Sequence, residues 1–305
     1  MGIVVIGTTF VDVKGHPLGK YVPTGRNAGR VVEVHGGVAR NIAEDIANVG
    51  LSPTLVSTVD NGGLSDDLID RLVRHGCNTD FIDRAEDGLG MWLAIFDETG
   101  DVAGSISRRP DTSGIERILI DRGDEIVSQA ESICIEFDID APILERTLDL
   151  AQRYGKEVYS PVTNMAIACE RRHLLGKVSC LVCNQQEAGV LFASGLDEAQ
   201  ADEVRAALPE KLAQIGLRSM VVTMGAQGSV FAEMDGRSGW HPAHAVEVVD
   251  TTGAGDAFFA GIAIGLTHAK SLEESCAIGA KLAASAIASE ENVCGRFSLK
   301  ELGLR

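Results

Sequence analysis

Short apolar runs of strand length recur along this chain, each followed by a stretch with helical periodicity, and that alternation leaves few ways to fold. Ile3–Gly7, Thr54–Thr58, Ser132–Phe137, Glu157–Ser160, Cys180–Cys183 and Met220–Met224 read as buried strands. Helical spacing is clearest at Val38–Val49, where Ile42, Ala43, Ile46 and Ala47 share one face and Gly50 supplies the stop. Glu44 and Asp45 are expected to look outward. Further helices fit Ser65–His75, Pro142–Tyr154, Glu198–Ile215, Ala254–Thr267 and Leu272–Ser289. Strands that are apolar throughout need cover on both faces, so the expected class is α/β with a mostly parallel sheet.

Two segments break the rhythm. Residues 13–34 are rich in Gly, Pro and Val and carry Lys14, Lys20, Arg26 and Arg30. Residues 88–110 alternate apolar and polar around a turn at Glu98–Asp101, the pattern of a β-hairpin. Strands inserted between α/β units form a small separate sheet. The expected division is therefore a core of 1–12, 35–87 and 111–305, with 13–34 and 88–110 outside it.

The formal charge of −17 argues against nucleic acid or an anionic membrane surface as a partner. It does not exclude an anionic small molecule, which needs only local N–H groups and a cation. The opening MGIVVIGTTFVD has no basic leader and loses its apolar run by Asp12, so it reads as a first strand rather than a signal or membrane segment. Seven scattered cysteines outline no disulfide framework, and a reducing cytoplasm suits them. Cys180 and Cys183 form a lone pair without the second half of a zinc site; both are expected as buried thiols.

The strongest local signal is Asp250-Thr-Thr-Gly-Ala-Gly-Asp256 followed by AFFAGIAIGL. The helix it opens is apolar nearly all round and should be buried, yet it starts with two glycines and a carboxylate. Glycine lets backbone N–H groups approach a ligand closely, and a helix N-terminus favours an anion such as a phosphoryl group. Asp256, in the first turn, is then placed to take a proton from an attacking hydroxyl. The alternative is a Gly-rich turn with Asp256 serving only the helix dipole. In Asn184-Gln-Gln-Glu187, an amide and a carboxylate three residues apart share one helix face, which suits hydrated Mg²⁺ or, equally, a helix cap. Thr223-Met-Gly225-Ala-Gln-Gly228 is a tight turn after a buried strand, fit for nucleotide phosphates or a plain connection. Gly36-Gly37-Val-Ala-Arg40-Asn41 starts a helix; Asn41 offers donor and acceptor to a hydroxyl.

Other phosphate motifs are absent from the sequence. The Gly15–Tyr21 segment is one residue short of a P-loop and lacks its Ser/Thr, and the first strand has no G-x-G-x-x-G. His241 and His244 lack partners at metal spacing and read as surface or turn residues.

Taken together and in this order, GGVARN, NQQE, TMGAQG and DTTGAGDAF resemble the signatures of the ribokinase, or PfkB-type, family of carbohydrate and nucleoside kinases, over essentially the whole chain. The resemblance implies a doubly wound α/β core with a small β-sheet lid, and transfer of the ATP γ-phosphoryl group to an alcohol. It implies Asp256 as base, with the N–H groups of Gly253, Ala254 and Gly255 as anion hole. Asn184 and Glu187 would place Mg²⁺, while Thr223, Gly225 and Gly228 would lie along the nucleotide. Asp12, Gly37 and Asn41 would hold the substrate's hydroxyls. Several members bind a monovalent cation near the second signature, which would put K⁺ beside Asp250 and Thr252. The Arg40-Asn41 pair looks like the pseudouridine kinase branch, with Arg40 meeting a base carbonyl or pairing with a nearby carboxylate. Phe10, Met91 and Trp92 are the candidate apolar wall for a base. The expected substrate is a pseudouridine-like nucleoside or, alternatively, a free sugar such as ribose, fructose or a keto-deoxy sugar. A homodimer through the lid is also expected. A silent ligand-binding relative is the reading from another class; the intact Asp256 and its glycines weigh against it.

Overall fold

The computed structural model describes residues 2–304. Its strands are β1 (Ile3–Ile6), β2 (Phe10–Pro17), β3 (Gly29–Gly36), β4 (Thr54–Val59), β5 (Asn78–Arg84), β6 (Gly90–Phe96) and β7 (Val102–Arg108). The second half adds β8 (Ser132–Ile135), β9 (Glu157–Pro161), β10 (Cys180–Asn184), β11 (Ser219–Thr223), β12 (Ser229–Glu233) and β13 (Ser238–His241). Nine of them form one sheet in the order β13-β12-β11-β10-β9-β8-β1-β4-β5. Pairing is parallel from β11 through to β5, and only β12 and β13 join antiparallel.

The side-chain alternation of β1 shows why the sheet is covered twice. Val4 and Ile6 enter one apolar core, packed by the helices Ser113–Gln129, Ala141–Tyr154 and Ala201–Ile215. Ile3 and Val5 enter the other, packed by Val38–Asn48, Gly63–His75, Ala254–Thr267 and Leu272–Ile287. This is the doubly wound arrangement. All seven cysteines are free, and Cys180 and Cys183 are buried. Among the described residues no helix is long and apolar enough to cross a membrane.

The remaining four strands form a second sheet in the order β3-β2-β6-β7. β6 and β7 pair antiparallel across residues 97–101, the hairpin that the alternation of 88–110 suggests. The sheet begins earlier than residue 13: β2 opens at Phe10, opposite Gly90 and Gly36, so Asp12 lies in the small sheet. The apolar run of β1 continues into β2 with a break only at Gly7–Thr9, which hid the boundary.

Two expectations fail on the first helix. Glu44 and Asp45 are fully buried. The chain's C-terminal region and the neighbouring helix cover that side: Arg71 and Arg40 pair with Glu44, and the Cys294 N–H donates to Asp45 at 2.6 Å. The helix Ser113–Gln129 and strands β5 and β13 have no counterpart in the expected elements, because they bury too few consecutive apolar residues to stand out; β12 has none either, although Ser229–Ala232 is buried.

The helix Ala254–Thr267 is buried from Ala257 to Gly265 and packs against the helix Leu272–Ile287. Phe259 is fully buried in it. Phe259→Ala should lower the unfolding free energy by about 3–5 kcal/mol, read from urea denaturation. A loss below about 1 kcal/mol would show that packing does not hold this helix in place.

Candidate active site

Two helices begin on glycine, and their first turns are brought together. Gly37 caps Val38–Asn48 at φ 96°, and Gly253 caps Ala254–Thr267 at φ 79°. A Cβ at Gly37 would lie 2.7 Å from the Phe10 nitrogen, and one at Gly253 would lie 2.0 Å from the Asn292 carbonyl oxygen. Both turns therefore exclude side chains on conformational and steric grounds. The two termini are joined by one hydrogen bond, in which the Asn41 Nδ2 donates to Asp256 Oδ2 at 2.8 Å.

Two cavities meet at this junction. The larger, about 850 Å³, lies under the small sheet and is lined by Phe10, Asp12, Gly37, Asn41, Trp92, Thr252, Gly253 and Asp256 among others. The smaller, about 180 Å³, is lined by Thr223, Gly225, Gly228, Ala254 and Gly255, with an apolar wall of Phe258, Ala280, Ala284 and Ile287. The helix start thus presents Gly253 and Asp256 to one cavity and Ala254 and Gly255 to the other. First-turn N–H groups have no intrahelical partner; that of Ala254 makes only a 3.3 Å turn bond to the Thr251 carbonyl.

Burial pushes the Asp256 carboxyl up to about 6; the Asn41 amide opposes the rise and the charge of Asp12 adds to it. Burial likewise raises Asp12, against the pull of Lys14, Asn292 and Arg40. Glu136, buried at the cavity wall, is pushed up to about 8 while accepting the Thr8 N–H at 2.8 Å and the Ala39 N–H at 3.1 Å. It thereby ties the first strand's end to the start of the Val38–Asn48 helix.

Sequence reasoning missed the acids Glu136, Asp138 and Asp140, which line the larger cavity. The signal was present: carboxylates directly after a buried strand of a parallel sheet sit where such folds bind ligands. Taking β8 to run to Phe137 concealed it, since the strand ends at Ile135. His244 also lines the smaller cavity, from an irregular stretch with no sequence signal.

Arg40 does not reach either cavity. It is 1 % exposed, pairs with Glu44 at 2.9 Å, and donates to Asn41 Oδ1 at 2.6 Å. A residue one position before Asn41 on a helix points about 100° away from it, here into the core. The carboxylate-pairing alternative is the one realised, and Arg40 meets the cavity only by orienting the Asn41 amide toward Asp256. Met91 is not among the lining residues, whereas its neighbour Trp92 is; adjacent strand residues face opposite ways. Asn184 and Glu187 form a reciprocal cap, with Glu187 N–H on Asn184 Oδ1 at 2.9 Å and Asn184 N–H on Glu187 Oε2 at 2.7 Å. Burial raises the Glu187 carboxyl, and the nearby charge of Asp138 raises it further. Two carboxylates that repel one another fit a hydrated divalent cation.

Asp250 and Thr252 do not fit an alkali-metal ion. Lys14, 4 % exposed, places its Nζ 2.9 Å from Asp250 Oδ2 and 3.3 Å from Thr252 Oγ1. An ion on the same oxygens would contact a like charge.

The comparisons with known proteins agree with this architecture. The model of the pfkB family carbohydrate kinases matches residues 2–293. A guanosine-inosine kinase of Exiguobacterium acetylicum is 33% identical over 292 residues, covering 95% of each chain. A pseudouridine kinase of Escherichia coli (strain K12) is 27% identical over 263 residues, covering 86% of this chain and 82% of that one. The structure of Arabidopsis thaliana ribokinase complexed with ribose and ATP superposes with a TM-score of 0.84 at 20% identity, covering 98% and 97%. The family match and these relatives identify a phosphotransferase acting on a hydroxyl of a sugar or nucleoside. This chain belongs to the pfkB family of carbohydrate kinases.

Two measurements follow from the site. If Asp256 is the base, only its ionised form accepts a proton, so kcat/KM should fall as pH drops through about 6. A profile flat down to pH 5 would remove Asp256 from that role. Arg40→Ala leaves Glu44 with Arg71 as its remaining arginine partner and should cost about 1–3 kcal/mol of stability by denaturant titration. A change confined to substrate preference, with stability intact, would reinstate Arg40 as a binding residue.

Proposed function

We propose that this kinase phosphorylates a hydroxyl of a nucleoside, with Asp256 as base and the Gly253–Gly255 turn as anion hole. The carrying observation is the helix start shared by two cavities, with Gly253 and the Asp256 carboxylate on one side and Ala254 and Gly255 on the other. Asp12 and Asn41, beside Gly37, hold the ribose hydroxyls, and Phe10 and Trp92 form the flat wall for the base. The cavity of about 850 Å³ has room for a nucleoside. The similarity to a guanosine-inosine kinase and a pseudouridine kinase supports the same substrate class. With Arg40 in the core, no side chain singles out pseudouridine.

In the reaction the substrate oxygen attacks the γ-phosphorus, Asp256 takes the hydroxyl proton, and ADP departs with the bond's electron pair. Asn41 keeps the Asp256 carboxylate aimed at the acceptor. Thr223, Gly225 and Gly228 would hold the nucleotide, and Phe258, Ala280, Ala284 and Ile287 would offer its base an apolar wall. Asn184, Glu187 and Asp138 would hold Mg²⁺ through water, which offsets charge on the phosphates. Positioning and charge stabilisation carry most of such a transfer. Asp12, Asp138, Asp140 and Asp256 line the acceptor cavity against Arg109, while Glu136, pushed up to about 8, is largely uncharged near neutral pH. A neutral alcohol is thereby favoured over one already phosphorylated.

Closure of the small sheet over the acceptor excludes water as a competing acceptor. The sheet's outer face, with Val31 and Ile106 both 71 % exposed, supports pairing of two lids in a homodimer.

Asp256→Asn should lower kcat by about 10² or more while ATP binding is retained. ADP release is then screened over guanosine, inosine, pseudouridine, ribose, fructose and ribose 5-phosphate. Nucleosides should lead in kcat/KM and the phosphorylated sugar should trail; a free sugar in front would overturn the nucleoside reading and leave the kinase class standing.

A further inference from the structure

We propose that Lys14 is a built-in monovalent cation of the anion-binding turn, so that this enzyme needs no potassium for turnover. The proposal rests on the kinase reading above, in which the residues after Thr252 receive the transferring phosphoryl group.

Lys14 arrives from the small sheet, two residues beyond Asp12 and on the same face of β2. Its ammonium is 4 % exposed, and an unpaired charge at that depth would be unstable. Three side-chain oxygens surround it: Asp250 Oδ2 at 2.9 Å, Thr252 Oγ1 at 3.3 Å and Asn292 Oδ1 at 3.5 Å. An ammonium has three donors, so the set is matched in number. The second oxygen of Asp250 is also taken, accepting the Thr252 N–H at 2.8 Å and its hydroxyl at 2.7 Å. Both carboxylate oxygens are therefore engaged, and an ion at Oδ2 would have to share it with the Lys14 ammonium. Burial alone would raise the Asp250 carboxyl, yet it is lowered, because the Thr252 donors and Lys14 outweigh the burial.

The position explains what the charge does. Thr252 directly precedes Gly253, and an uncompensated Asp250 would repel a phosphate arriving at the next three N–H groups. Lys14 cancels that charge and holds the turn. The same cluster reaches the acceptor site, since Asn292 Nδ2 donates to Asp12 Oδ2 at 3.1 Å, and Asn292 is the residue on which Gly253 packs. A cation carried by a strand differs from an exchangeable ion in one respect: it is present at the turn only when the small sheet is seated. Lid position, rather than salt composition, then decides whether the anion hole is complete.

The test compares KCl with tetramethylammonium chloride at equal ionic strength, which holds screening constant. Wild-type melting temperature should be the same in both salts, and so should ADP release. Lys14→Met should lose roughly 10–10²-fold in rate. It should also gain a potassium-specific rise in both melting temperature and rate, because Asp250 is then open to an ion. A potassium-specific rise in the wild-type melting temperature, or several-fold activation of wild-type turnover, would overturn the proposal. A Lys14→Met protein with the wild-type rate in tetramethylammonium would do the same. The melting comparison needs no acceptor alcohol, so a failed nucleoside reading leaves it intact. Should Lys14→Met not fold, the wild-type comparison decides alone.

Discussion

The site depends on the burial of a single apolar helix. Ala254–Thr267 is enclosed from Ala257 to Gly265, so its axis is fixed by packing against the sheet and the helix Leu272–Ile287. A helix held so firmly has one useful end. Its N-terminal N–H groups and dipole stand where the two cavities meet, and no reorganisation is needed to aim them. Glycine at 253 is the condition for this: any Cβ would strike the Asn292 carbonyl. Burial at this junction raises the Asp256 carboxyl to about 6, toward the working range of a base.

Charge is arranged around that terminus by depth. Acids cluster on the acceptor side, and the two deeply buried cations, Lys14 and Arg40, are each matched to a carboxylate and a neighbouring amide. Arg40 acts through Asn41 on Asp256, and Lys14 acts through Asp250 and Thr252 on the turn. Neither touches the acceptor cavity, so both are positioning groups. Their partners come from distant parts of the chain, Asp250 and Asn292 lying more than 200 residues after Lys14 in sequence. The small sheet is thereby tied to the Asp250–Gly253 turn by an ion pair.

Much of this was legible in the sequence wherever the physics is local. Apolar runs of strand length and the helical spacing of Ile42, Ala43, Ile46 and Ala47 are consequences of what each segment must bury, and they lead to the sheet with two covered faces. The glycines at 37 and 253 mark turns with positive φ because no other residue enters that conformation without strain. Asp256 follows from its place in the first turn of a buried helix.

What the sequence withheld depends on neighbours remote along the chain. Whether Glu44 and Asp45 face water is decided by Arg71, Glu291 and Cys294, which helical spacing cannot reveal. Arg40 and Asn41 are adjacent, yet one is in the core and the other at the cavity, because the helix turns about 100° between them. Lys14 reads in sequence as one more basic residue of a Gly-rich segment. Only the tertiary structure brings Asp250, Thr252 and Asn292 around it. The sequence by itself determined most of the elements, the glycine turn before Asp256 and the family; long-range packing decided which charges are buried and with whom, because the free energy of a buried charge is set by its spatial partners and not by its place in the chain.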